Sequence, residues 1–132
     1  MFSYEDLARA ADWIANAFGF EETGRWSDET GRVTHVTMEL DGGMIMLGYP
    51  SADYHSPKHH AEVCEHARKW QQSPYVIDGV YVIVTDIEAH HAQALAGGAT
   101  MLSELEENTG IGQRQYRAED LEGHRWMFAQ PL

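Results

Sequence analysis

A chain of 132 residues with one cysteine, nine basic and 21 acidic side chains, and a formal charge of −12 has room for one hydrophobic core and no intrachain disulfide. That charge repels phosphate backbones, which removes nucleic acid from the expected partners, and it draws cationic small molecules. No apolar run approaches the ~18 residues of a membrane span and none follows a basic leader, so the sequence predicts a cytoplasmic chain without a membrane partner.

Asp6 reads as a helix N-cap, and Leu7, Ala11, Ile14 and Phe18 recur at the i, i+4, i+7 and i+11 spacing of a stripe lying on a core. Gly19 ends that helix. The segment GRVTHVTMEL alternates as a strand does, with Val36, Met38 and Leu40 on one face and His35, Thr37 and Glu39 on the other. Asp41, Gly42 and Gly43 make a turn, and MIMLGY returns as a buried strand. Ser56 followed by Pro57 has the chemistry of a second helix start, predicted to run to about Gln71. The pattern then begins again. DGVYVIVTD is a β-branched strand, Thr85 and Glu88 have capping-box spacing, IEAHHAQALA is a helix closed by Gly97 and Gly98, and two strands around DLEG end the chain.

The recurrence is an internal repeat. A shift of about 80 positions places Asp6 on Asp86 and Leu7 on Ile87, and a gapless shift of 81 carries GRVTHVTMELDGGMIMLG onto GQRQYRAEDLEGHRWMFA. In that register Gly31 meets Gly112, Gly42 meets Gly123, Met46 meets Met127 and His35 meets Tyr116. The predicted architecture is α+β, a single domain of two βαβββ modules, residues 1–48 and 78–132, joined by a helical connector at 49–77. The sheets are expected to curve round a shared concave face with the helices outside.

Two such modules, with AFGFEE after the first helix, VYVIVTDIEAHHAQALAGGA, and a closing RQYRAEDLEGHRWMFA, resemble the vicinal oxygen chelate superfamily of glyoxalases, ring-cleaving dioxygenases, fosfomycin-inactivating enzymes and bleomycin-resistance proteins. The resemblance covers nearly the whole chain. It implies, for the enzymes of that group, a divalent metal held by His and Glu from inner strands of both modules. By the same pattern the fourth-strand carboxylates fall at Met46 and Met127, and the opening histidine of the second module falls at Val80. A thioether or an alkyl group is a poor donor for a hard or borderline divalent cation, so the expectation is a chain that works without a metal or other cofactor and without a catalytic residue.

Strand alternation puts Ile45, Leu47, Trp126 and Phe128 under the helices and leaves Met44, Met46, Arg125 and Met127 facing the concavity. Methionines and Val80 make a polarisable lining for an apolar or aromatic guest. His35, Arg114 and Tyr116 are expected to supply polar contacts, and Tyr49, Tyr54 and Trp70, in or beside the connector, to stack at the mouth.

The stretch HHAEVCEH, residues 59–66, invites a metal or thiol reading. On one continuous helix His60, Val63, Cys64, Ala67 and Trp70 share a stripe, so Cys64 is expected to be packed and inert, and His60 with Cys64 supply two ligands where a site needs more. Three functional readings stay open. The first is a metal-free protein that binds or sequesters a small aromatic or cationic molecule, as in antibiotic resistance. The second is a metal-dependent lyase or isomerase with ligands recruited from His35, Glu39 or the 59–66 cluster, and the third is a small-molecule sensor or accessory subunit. A homodimer is expected.

Overall fold

The computed structural model describes residues 1–73 and 78–132; the last four residues of the expected connector, 74–77, lie outside the described residues. A short strand β1 (Phe2–Ser3) leads into α1 (Leu7–Phe18), whose start is fixed by the Asp6 side chain accepting from the Arg9 amide at 3.2 Å. Gly19 ends it in the left-handed conformation at φ 76°, which a residue without Cβ adopts at no steric cost. Strands β2 (Glu21–Ser27), β3 (Val33–Leu40) and β4 (Gly43–Gly48) follow, giving a four-stranded sheet of order β1-β4-β3-β2 in which β1 runs parallel to β4. The strand β2 carries no apolar alternation, since its side chains are mostly exposed, and it holds its place by pairing with β3.

The second half repeats the order. Strand β5 (Gly79–Ile83) precedes α4 (Ile87–Ala96), and β6 (Thr100–Met101), β7 (Glu106–Asn108), β8 (Gln113–Glu119) and β9 (Arg125–Pro131) complete a five-stranded sheet. Its main path is β5-β9-β8-β6, and β7 also pairs with β8. The cap of α4 is Asp86, which accepts from the Ala89 amide, and not Thr85 in a capping box. Thr85 is occupied instead by Asp41, whose Oδ2 accepts from the Thr85 amide at 3.0 Å and ties the β3–β4 turn to the start of α4.

The connector departs from the expected single helix. It forms α2 (Pro57–Val63) and α3 (Glu65–Trp70), broken at Cys64, which is extended at φ −139° and ψ 117°. Tertiary closure explains the break. A straight helix from Pro57 to Gln71 would hold its ends about 21 Å apart at ~1.5 Å per residue, yet the Gln71 side-chain amide donates to the Pro57 carbonyl at 2.5 Å. The fold-back also dissolves the predicted stripe: His60, Val63 and Trp70 are exposed, Cys64 is half-buried and only Ala67 is buried.

One core serves both sheets. Val36, Met38 and Leu47 from the first, Tyr116, Ala118, Trp126 and Phe128 from the second, and the inner faces of α1 and α4 form a single cluster. Phe18 of α1 lies 5.1 Å from the Trp126 ring and 4.8 Å from Phe128, a cross-module aromatic contact of the sort worth about 0.5–1.5 kcal/mol per pair beyond its area. Asp120 sits beneath the β8–β9 turn as a buried acceptor for Tyr4 Oη at 2.6 Å, Trp126 Nε1 at 3.0 Å and the amides of Glu122 and His124 at 3.0 Å. His124 stacks on Phe2 at 4.5 Å and its Nε2 bonds the Ser3 carbonyl, so this turn latches the second module onto β1. Among the described residues no helix is long and apolar enough to cross a membrane.

Candidate functional site

Each sheet has one face in the core and one face turned away from it, and the alternation decides which side chains the outer, open face receives. On the first sheet Val36, Met38 and Leu47 point inward, so the cross-strand pairs Trp26 with His35, Thr37 with Met46 and Glu39 with Met44 point outward. Met44 is 62% exposed, Met46 44% and Trp26 54%. The indole of Trp26 packs over Gly24, where an added Cβ would sit 2.6 Å from the ring; glycine at that position is what leaves room for the indole on the open face. Met1 lies against Gly48 on the same side, so three thioethers and an indole share the surface.

On the second sheet Trp126 and Phe128 fill the core, which leaves Arg125, Met127 and Ala129 outward, flanked by Tyr81 and Ile83 on β5 and by Gln115, Arg117 and Glu119 on β8. Tyr81 is 52% exposed and Ile83 46%. Large apolar side chains left open on the faces of both sheets are unusual for a chain with so complete a core beneath them, and such patches mark binding surfaces. Where the sheets adjoin, two cavities open. One of about 370 Å³ is lined by Phe20, residues 40–45 and residues 80–83; the other, about 310 Å³, is lined by Met1, Phe2, residues 44–47, Val80 and Trp126.

Several expected site residues lie elsewhere. Tyr116 is fully buried, with its hydroxyl 2.7 Å from His90 Nδ1, and Arg114 reaches across to Glu88 on α4. The reason is one extra residue. Glu39 faces Met44 across four residues, 40–43, whereas the equivalent pair in the second hairpin, Glu119 and Arg125, is separated by five, 120–124. Gly48 and Ala129 are equivalent, because their carbonyls accept from the Tyr4 and Val84 amides, and the residues opposite them are His35 and Gln115. The repeat mate of His35 is therefore Gln115, and a one-residue slip turns Tyr116 to the core. Val80 likewise pairs with Trp126 and leans on the core, and its neighbour Tyr81 stands beside Met127 on the open face.

Near the connector, Tyr49 lies under the Arg32 guanidinium at 4.6 Å, in a separate cavity of about 380 Å³ with Asp6, Leu7, Ala8 and residues 30–33. The Tyr54 hydroxyl donates to the Ser3 carbonyl, and burial together with the carboxylates of Glu122, Glu5 and Asp120 pushes it up to about 12, so it is a tether and not an acid. Trp70 is exposed on α3. Arg125 is buried against the end of the connector, donating to the carbonyls of Gln71 and Ser73 and to Glu119, which brings the connector to the rim of the second open face.

A metal of the enzymatic kind does not fit this donor set. The open-face positions nearest the seam are Met46, Met127 and Tyr81, and among the described residues no group of three or more His, Cys, Asp or Glu side chains converges. His35 stands on the first open face with its Nδ1 3.2 Å from Thr34 Oγ1, and His59 is paired with Glu5 at 2.8 Å, outside that face.

The family model of the Glyoxalase/Bleomycin resistance protein/Dioxygenase superfamily matches residues 1–128. The chain belongs to this superfamily. TioX from Micromonospora sp. ML1 is 28% identical, with 99% of this chain and 92% of that one aligned at a TM-score of 0.72. TnmS3, an antibiotic binding protein from Streptomyces sp. CB03234, shares the fold at a TM-score of 0.62 and 17% identity, over 96% of this chain and 88% of that one. An uncharacterised protein of Mycobacterium tuberculosis is 27% identical over 132 residues, 97% of this chain and 70% of its own length. Trp26, Tyr81, Ile83, Gln113 and Gln115 are among the open-face residues that sequence reasoning overlooked. Alternation within β8 was the available signal for the two glutamines, because only Tyr116 and Ala118 can share a face with the apolar core.

Proposed function

We propose that this superfamily member binds and sequesters a small aromatic or cationic molecule on its open sheet faces, without a metal and without chemical turnover. The observation that carries the reading is the set of exposed apolar side chains, Trp26, Met44, Met46, Tyr81 and Ile83, gathered on the two faces where a metal site would need imidazole or carboxylate. TnmS3, described as an antibiotic binding protein, puts the same fold to that use, which supports an antibiotic or similar compound as the ligand and resistance as the outcome. The net charge of −12 favours a cation over an anion. Met46 and Met127 supply the apolar floor, His35 an edge contact, and Trp70 the rim. Residues 1–48 and 78–132 act as two modules of one domain in the cytoplasm, and a second copy covers part of the exposed apolar surface in a homodimer.

The test is a thermal-shift and metal-analysis experiment on protein purified in chelator. A planar aromatic or cationic compound at 100 times its Kd should stabilise the fold by about 2.7 kcal/mol, a rise in Tm on the order of 10 °C. Stoichiometric zinc, nickel, iron or manganese that resists chelation, together with no shift across a broad panel, would reverse the reading in favour of an enzyme.

A further inference from the structure

On the open face of the second sheet three polar side chains form a directed chain. The Tyr81 hydroxyl donates to Gln113 Oε1, and Gln113 Nε2 donates to Gln115 Oε1 at 2.6 Å. Both glutamines are 7% exposed, unusual for side chains that belong to the outer face of a sheet. At the end of the chain the Gln115 Nε2 makes no hydrogen bond among the described residues, and it is not sealed from solvent. Gln115 stands opposite Ala129, whose methyl group cannot cover it, and beyond Ala129 lies the exposed Ile83. A largely buried amide that spends its oxygen on a neighbour presents donors only. Each upstream bond polarises the next, so the terminal N–H groups are better donors than those of an isolated amide.

The geometry points to Gln115 as a specificity-determining residue, a fixed hydrogen-bond donor that selects planar aromatic ligands bearing a carbonyl oxygen, with Gln113 and Tyr81 as its positioning residues. The inference rests on the binding role proposed above. A ring system packs on Met127, Ile83 and Tyr81, and its carbonyl oxygen accepts from Gln115 Nε2 in place of water. A ring without an acceptor buries that amide unsatisfied, which is the costly outcome.

Fluorenone and fluorene are a matched probe pair, planar and nearly isosteric, differing in one carbonyl oxygen. Tryptophan quenching and thermal shift on the full chain should show fluorenone bound about tenfold more tightly than fluorene, the size of one neutral hydrogen bond. Gln115→Leu should bring the two within about twofold of each other by weakening fluorenone alone. Tyr81→Phe, at an exposed position that folding tolerates, should lower the fluorenone preference about threefold. Equal affinity of the two probes for the unmodified chain, or an unchanged preference in Gln115→Leu or Tyr81→Phe, overturns the assignment of Gln115 and leaves the binding reading standing. Failure of both probes to bind, alongside failure of the wider panel, removes the binding reading as well.

Discussion

Asp120 is the buried acceptor that ties Tyr4 and Trp126 together beneath the β8–β9 turn, and replacing it with alanine has a cost that can be worked from its partners. The carboxylate accepts from Tyr4 Oη and Trp126 Nε1, whose side chains are 0% and 1% exposed, and from the amides of Glu122 and His124. Removing it strands two fully buried side-chain donors at about 1–3 kcal/mol each, so the loss should be near 4 kcal/mol. For a domain of this size that is a fall in Tm of roughly 12–16 °C. Asp120→Asn keeps the shape and one acceptor oxygen but turns an amide N–H toward a donor, and about half the loss is expected. Urea unfolding followed by far-UV circular dichroism measures both variants against the unmodified chain. An Asp120→Ala protein that melts within about 3 °C of the unmodified one would refute the reasoning, because it would mean that Tyr4 and Trp126 find other partners at no cost.

His90 should make stability sensitive to mild acid. Burial lowers its pKa, against the opposing bond to the Phe18 carbonyl, and the neutral ring accepts from Tyr116 Oη at Nδ1 while donating to Phe18 from Nε2. Its folded pKa lies below the unfolded ~6.5, so this stability is complete above that pH and falls as pH drops through it, by at most about 1.4 kcal/mol per pH unit. Urea midpoints between pH 7.5 and 5 should lose that component in His90→Leu, and an identical slope in the variant contradicts the assignment. Glu5 predicts a lower window: burial alone would raise its carboxyl, but hydrogen bonds from Ser56 and His59 bring it down to about 2. The stability it contributes is present above pH 4.5 and lost as pH falls toward 2, so the Tm difference between the unmodified chain and Glu5→Gln should close across that range; a gap constant with pH rules it out.

What the sequence revealed, and what it hid, divides by range. The Asp6 cap, the stripe of α1, the Gly19 stop and the Asp41–Gly42 hairpin are set by residues within a few positions of one another, and the structure keeps them. The inward set Leu47, Trp126 and Phe128 was legible for the same reason, since alternation along one strand needs no partner. The break at Cys64 was not, because it follows from Gln71 closing onto Pro57 and from Arg125 gripping the connector's end. Tyr116 was misplaced because a gapless repeat cannot show that the second hairpin turn is longer, and only the pairing of Gln115 with Ala129 reveals it. Trp26 escaped notice because β2 lacks apolar alternation and takes its face from His35 across the sheet.

The most direct test of the account is ligand affinity in Met46→Glu. This substitution puts an unpaired carboxylate on the apolar floor of the first open face, at an exposed position where the fold itself loses little. Isothermal titration in chelator, with the panel compound that gives the largest thermal shift, should show binding to the unmodified chain and at least a 30-fold loss in Met46→Glu, with the melting temperature of the free protein within about 3 °C. Unchanged affinity in a folded Met46→Glu protein, or binding that strengthens when a divalent metal is added, would contradict a metal-free site on the open sheet faces.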